Sequence, residues 1–328
     1  MSEGSRIGEF GRDVEPLRLA SVHVSESRSY LAPTGPEGPR PEAIAALRAH
    51  PRFDAASRTA STGFIEIWQR NRLLNTLVND RGRLLISMFA IYLHVLSRPG
   101  DPHSGLTVSR MTVLCSEQKF CSPGRAKAML MLMRLFGHLA PASNAADRRL
   151  RRLVPTDRLL ALHRERNRRL FRAIAMVLPE CAEAFAAQSH PDFTTLFVCR
   201  YCEQLLAGFR LIDVAPDMRL FLDHNAGLMI LCSMILAGEA DDAYPPARPV
   251  PVSASALSRR FGVSRAHVRR LLQAAENDGL LERHGADRVR LLPRLAHASQ
   301  DVMAAHFLLA AACAQDAYAD IARESAVA

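Results

Sequence analysis

One order of helical stretches, short strand and hairpin occurs twice in this chain of 328 residues, about 140 residues apart, and such repetition constrains the fold to two related units. In the first pass Leu84 to Leu96 reads as a helix and Pro99-Gly100 breaks it. Leu106-Thr107-Val108 then reads as a short strand, helices run from Ser109 to Glu117 and Ser122 to Phe136, and a basic hairpin ends at Pro155. In the second pass Phe193 to Leu211 and Met218 to Ala237 read as helices split at Pro216. Val250-Pro251-Val252 is the strand, Ser253 to Phe261 and Ser264 to Asp278 are the helices, and a hairpin ends at Pro293. Ser122 to Gly137 and Ser264 to Gly279 are both 15 steps, and Asp147-Arg148 answers Asp287-Arg288. Few residues are identical between the halves, so spacing is what repeats.

Before the first pass, residues 1–55 are rich in Gly, Ser, Pro and charge, with Pro33, Pro36, Pro39, Pro41 and Pro51 close together, and the pattern predicts a flexible arm. From Thr62, Phe64, Ile67, Trp68, Leu73, Leu74 and Leu77 recur at helical steps, with Trp68 as a core anchor. The domains expected are the arm, a first unit over 56–189 and a second over 190–328. The net charge of +9 favours an anionic partner such as nucleic acid. Only Lys119 and Lys127 are lysines, so the excess is carried by arginine and its position matters more than its total.

The segment Ser253 to Leu272 has the spacing of a helix-turn-helix. Gly262 ends the first helix where the turn needs a left-handed residue, Ser264 caps the second, and Leu257, Phe261, Val263, Val268 and Leu271 fall where the two helices touch. The second helix then turns Arg265, Ala266, His267, Arg269 and Arg270 outward, groups suited to phosphates and guanine edges in a major groove. From Gly279 to Leu292 apolar and polar residues alternate about Gly285, as in a two-stranded wing. Strand, two helices and hairpin make a winged helix, and Val250 to Pro293 resembles the winged-helix domain of bacterial transcriptional regulators, the MarR family above all.

In the first half Ser122-Pro123-Gly124-Arg125-Ala126-Lys127 occupies the corresponding helix start, with Ser122 as cap and Arg125 and Lys127 as donors. Ala145-Ala146-Asp147-Arg148-Arg149 resembles the family's wing tip. The resemblance implies that Asp147 orients Arg149 into a minor groove, with Arg148 beside it. The second wing departs from this pattern at Val289, so Arg288 or Arg290 takes the role there. From Arg148 to Arg172 there are ten arginines against Asp157 and Glu165, which predicts a positive stripe running from the first wing along the next helix.

The seven cysteines form no regular framework, which points to reduced thiols in the cytoplasm. Cys199-Arg-Tyr-Cys202 lacks a second Cys or His pair at metal spacing and reads as buried core. Cys115 and Cys121 flank the first helix-turn-helix near Lys119 and Arg125, where a thiol could gain thiolate character, but oxidant sensing is the minor reading of the pair. No phosphate loop or nucleophile motif is visible, so neither an enzyme nor a cofactor is expected. The longest apolar run, Ala226 to Gly238, is too short to cross a membrane.

The fold class expected is mainly α with small β-wings: tandem winged helices, over about 84–155 and 218–293, on a shared helical core. The core is built from Thr62 to Leu77, Thr156 to Leu178, Phe193 to Leu211 and Ser299 to Arg323. The function expected is a sequence-specific regulator of transcription that binds double-stranded DNA as a single-chain pseudo-dimer, with any small-molecule effector unidentified. The alternatives are a plasmid-type replication initiator, which also strings two winged helices in one chain, and a protein-interaction module with idle wings.

Overall fold

The computed structural model describes residues 38–69, 81–98, 101, 104–142, 152–239, 241–285 and 287–327. The fold is mainly helical with small antiparallel sheets. In chain order the elements are α1 (Pro41–Arg48), α2 (Phe53–Gln69), α3 (Arg81–Val95), α4 (Val108–Glu117), α5 (Pro123–Leu135), β1 (Leu139–Pro141), β2 (Leu153–Pro155), α6 (Asp157–Ile174) and α7 (Phe193–Leu206). There follow α8 (Gly227–Ile235), β3 (Val250–Pro251), α9 (Ala254–Phe261), α10 (Arg265–Asn277), β4 (Leu281–His284), β5 (Arg288–Leu291) and α11 (Pro293–Val327). Single-turn helices at Ala182–Ala186, Leu211–Val214 and Arg219–Asp223 connect the longer ones.

The chain gathers into two compact units. One contains Leu85–His163, and the other joins Ser29–Leu84 to Arg164–Ala328. The sequential division at residue 189 is therefore corrected: residues on both sides of the first unit build the second. Long-range burial is the reason, because α1 and α7 pack on α11, and Phe53 meets Phe307 edge-on at 6.3 Å. Residues 41–48, expected in the arm, form α1. Pro41 starts that helix without needing its absent N–H, Ile44 and Leu47 are buried, and Arg48 bonds Asp301 at 2.7 Å.

Within the second unit Phe171, Phe185, Phe193 and Phe197 form an aromatic cluster, with stacked Phe171–Phe185 centroids 4.8 Å apart. Cys199, Cys202 and Cys313 are buried free thiols, as the core reading expects. The helix expected from Met218 to Ala237 is interrupted. Ala226 takes φ +57°, Gly227 starts α8, and a Cβ at Gly227 would meet the Phe221 carbonyl oxygen at 2.3 Å. Here α11 is the one helix among the described residues long and apolar enough to cross a membrane, which the 13-residue estimate missed; 61% of its apolar window is buried within the protein.

The repeat is visible in local geometry. Ser122 and Ser264 cap α5 and α10 through the backbone N–H three residues on. Four buried positions follow in the same places, Ala126, Met129, Leu130 and Met133 against Val268, Leu271, Leu272 and Ala275. Gly137 and Gly279 close the helices at φ +71° and +66°, and the His138 and Leu280 amides donate to the Met133 and Ala275 carbonyls, both at 2.8 Å. The sheets also correspond. The second has the order β3-β5-β4, and in the first Leu106 bridges Leu153 of β2, which pairs with β1.

Candidate nucleic-acid interface

The best-defined polar helix surface is α10, and its orientation follows from the turn before it. The Ser253 hydroxyl accepts the Ala256 amide at 3.2 Å and starts α9, whose Leu257 and Phe261 are buried. Gly262 adopts φ +65°, the left-handed conformation that L side chains resist, and lets the chain reverse without strain. Ser264 then accepts the His267 amide at 3.1 Å and fixes the start of α10. With Val268, Leu271, Leu272 and Ala275 buried, helical geometry turns Ala266, Arg269, Arg270, Gln273 and Asn277 to the opposite side, and all five are exposed. Arg265 is exposed in the first turn.

Arg265, Arg269 and Arg270 make no side-chain hydrogen bond or ion pair with the described residues, so their guanidinium donors stay available. Gln273 and Asn277 extend this face and were missed by sequence reasoning, which stopped at the first two turns. Their signal was the helical angle, because each falls seven residues after Ala266 or Arg270. The Gln273 amide donates to Asn277 at 3.0 Å, and its oxygen accepts Arg283 at 3.3 Å, which orients it.

His267 is half-buried rather than fully outward, and its Nε2–H donates to the Asn225 carbonyl at 2.9 Å, tying α10 to the loop before α8. We expect His267→Ala to cost about 1 kcal/mol of unfolding free energy, the net worth of one hydrogen bond. Denaturant titration checks this, and an unchanged midpoint would contradict it.

The second wing also differs from expectation. Arg290 pairs with Glu282, its cross-strand partner, at 2.5 Å, and this guanidinium holds the carboxyl below the usual range. Arg288 is exposed but bonds the Pro249 carbonyl at 2.5 Å. Arg283 is paired with Glu276 at 3.0 Å. These arginines are opposed or anchored locally.

In the first unit Ser122 caps α5 by accepting the Arg125 amide at 3.3 Å, and Arg125 and Lys127 are exposed. Arg148, Arg149 and the expected partner Asp147 lie outside the described residues, and the Trp68 side chain does too. The basic run is not one continuous stripe. Arg169 is 8% exposed and bonds Glu66 and Glu165, while burial lowers the pKa of Arg166 against the opposing pull of Tyr201 and Cys202. Arg158, Arg164, Arg168 and Arg172 remain exposed. Cys115 departs from the reactive-thiol expectation, because burial and the neighbouring Cys121 push its pKa up to about 12.

No family model, curated protein or solved structure matches the chain. Among the described residues no group of three or more His, Cys, Asp or Glu is placed to hold a metal ion.

Proposed function

We propose that this chain is a sequence-specific DNA-binding regulator of transcription, built from two winged-helix segments in one polypeptide and acting in the cytoplasm without catalysis. The observation that carries the reading is the outward face of α10, where Arg269, Arg270, Gln273 and Asn277 project from a helix whose opposite face is buried. Arginine donates two hydrogen bonds to guanine, and glutamine or asparagine donates to N7 and accepts from the N6 amino group of adenine, so this is a set of groups that reads base edges. Supporting it are the strand order β3-β5-β4 around a capped helix pair and the net charge of +9. In this reading Arg265 meets phosphate at the start of α10, and one chain serves one duplex.

Binding to a duplex selected by the protein should weaken steeply with salt, by about 0.9 log unit per log unit of salt for each phosphate contact. A salt series read by fluorescence anisotropy checks this, with a slope corresponding to several contacts expected. A slope near zero would remove the DNA reading.

A further inference from the structure

The two repeated helices share a frame and differ in what they show. Counting from the Ser122 and Ser264 caps, four outward positions of α10 hold Ala266, Arg270, Gln273 and Asn277, where α5 holds Gly124, Ala128, Met131 and Leu135; the fifth, Arg269, answers to Lys127 at the edge of that face. These four residues of α5 are all exposed and lie in one stripe opposite the buried Ala126, Met129, Leu130 and Met133. Met131 is 70% and Leu135 76% exposed, a wide departure for large apolar side chains. No donor or acceptor side chain stands on the stripe. Arg125 flanks it on one side and Lys127 and Arg134 on the other, all exposed, and α5 contains no acidic residue.

We propose that α5 is a protein-docking helix, whose occupant is a helical segment of another protein with an apolar ridge bordered by Asp or Glu. The apolar stripe fits the ridge, small at Gly124 and Ala128 and bulky at Met131 and Leu135, and the basic flanks fit the acidic borders. Charge decides between occupants. A second copy of this chain joined through α5 would set Arg125, Lys127 and Arg134 against their own counterparts. A DNA groove would meet Lys127 at its edge but would bury Met131 and Leu135 against base edges without polar recognition. The assignment depends on the register match between the helices and not on whether α10 binds DNA.

The test is a display library of helical peptides with a fixed leucine ridge at positions i, i+3, i+4 and i+7 and flanks randomised between Glu and Lys, selected on the full chain. The expected result is enrichment of Glu at the flanks. The best peptide, synthesised and labelled, should then bind saturably. Met131→Gln with Leu135→Asn, which install the residues α10 carries at those places, should weaken it at least tenfold. The same pair should leave thermal unfolding and duplex affinity unchanged, and Arg269→Ala should leave peptide binding unchanged. No enrichment, Lys-rich flanks, or peptide binding that survives the double substitution would overturn the proposal. So would a loss of duplex affinity as large as that from Arg269→Ala. Self-association in sedimentation that the double substitution abolishes would assign the stripe to a second copy, and flotation with anionic vesicles lost in the same way would assign it to a membrane; either overturns the proposal. A chain that binds no duplex yet binds the Glu-flanked peptide would sustain this inference while removing the DNA reading.

Discussion

Replacing Arg269 and Arg270 together by Ala is expected to weaken binding to a selected duplex at least about 30-fold, because each lost bidentate contact costs about 1 to 3 kcal/mol. The two residues are chain neighbours, so their effects need not add, and each single variant should be measured beside the double one. Neither guanidinium is bonded to the described residues, so the folded state loses no hydrogen bond or ion pair there, and the thermal midpoint should hold. Substitution of Arg290, already neutralised by Glu282, should cost much less. Parent-like affinity in the Arg269 and Arg270 variants would show that α10 does not read bases.

Acidification should destabilise the protein between about pH 6.5 and pH 4. Burial lowers the pKa of His94, His138 and His306 from 6.5 to about 4, assisted by Arg152, Arg158 and Arg166 respectively. In that window the unfolded chain binds more protons than the folded one, so stability falls as pH falls and levels off below the folded-state value. A shift of this size on a well-buried ring corresponds to about 3 kcal/mol, against a total stability of about 5 to 15 kcal/mol. Two of these rings, His94 and His138, belong to the first unit. In the second, burial raises the pKa values of Glu203 and Asp316, which oppose His306 by favouring the folded state as they protonate. The first unit should therefore unfold at the higher pH. Urea titrations at pH 7 and 4.5 on the parent and on His138→Gln check this, and a pH-independent midpoint in the parent would contradict it.

What could be read from the sequence was what local rules determine. Ser122, Ser264, Gly137, Gly262 and Gly279 mark helix ends through their own conformational needs, so the helix pairs were legible, and the buried positions of α10 followed from periodicity. The arginines at 265, 269 and 270 followed from those. What was missed depended on residues far along the chain. Helix α1 has only Ile44 and Leu47 to bury and is held by α11 and Asp301, beyond the reach of any local pattern. The bond from His267 to the Asn225 carbonyl spans 42 residues, and the pairing of Arg290 with Glu282 exists only in the final strand register, so neither could be read locally. The apolar stripe of α5 could have been found by laying Ser122 to Gly137 over Ser264 to Gly279 position by position, since its contrast lies in the residues themselves.

The contribution of Ser29–Leu84 and Arg164–Ala328 to one unit also bears on how the protein is made. A ribosome releases α1 and the start of α2 long before it reaches α11, and at about 5 to 20 residues per second the interval is on the order of ten to fifty seconds. Over that time Ile44, Leu47 and Phe53 have not met the helix that covers them, whereas every residue of Leu85–His163 has already emerged. The first unit can collapse while the second is still held open by its missing wall, and the nascent chain must carry that exposed apolar surface, shielded by a holding chaperone or at risk of aggregation, until Phe307 arrives.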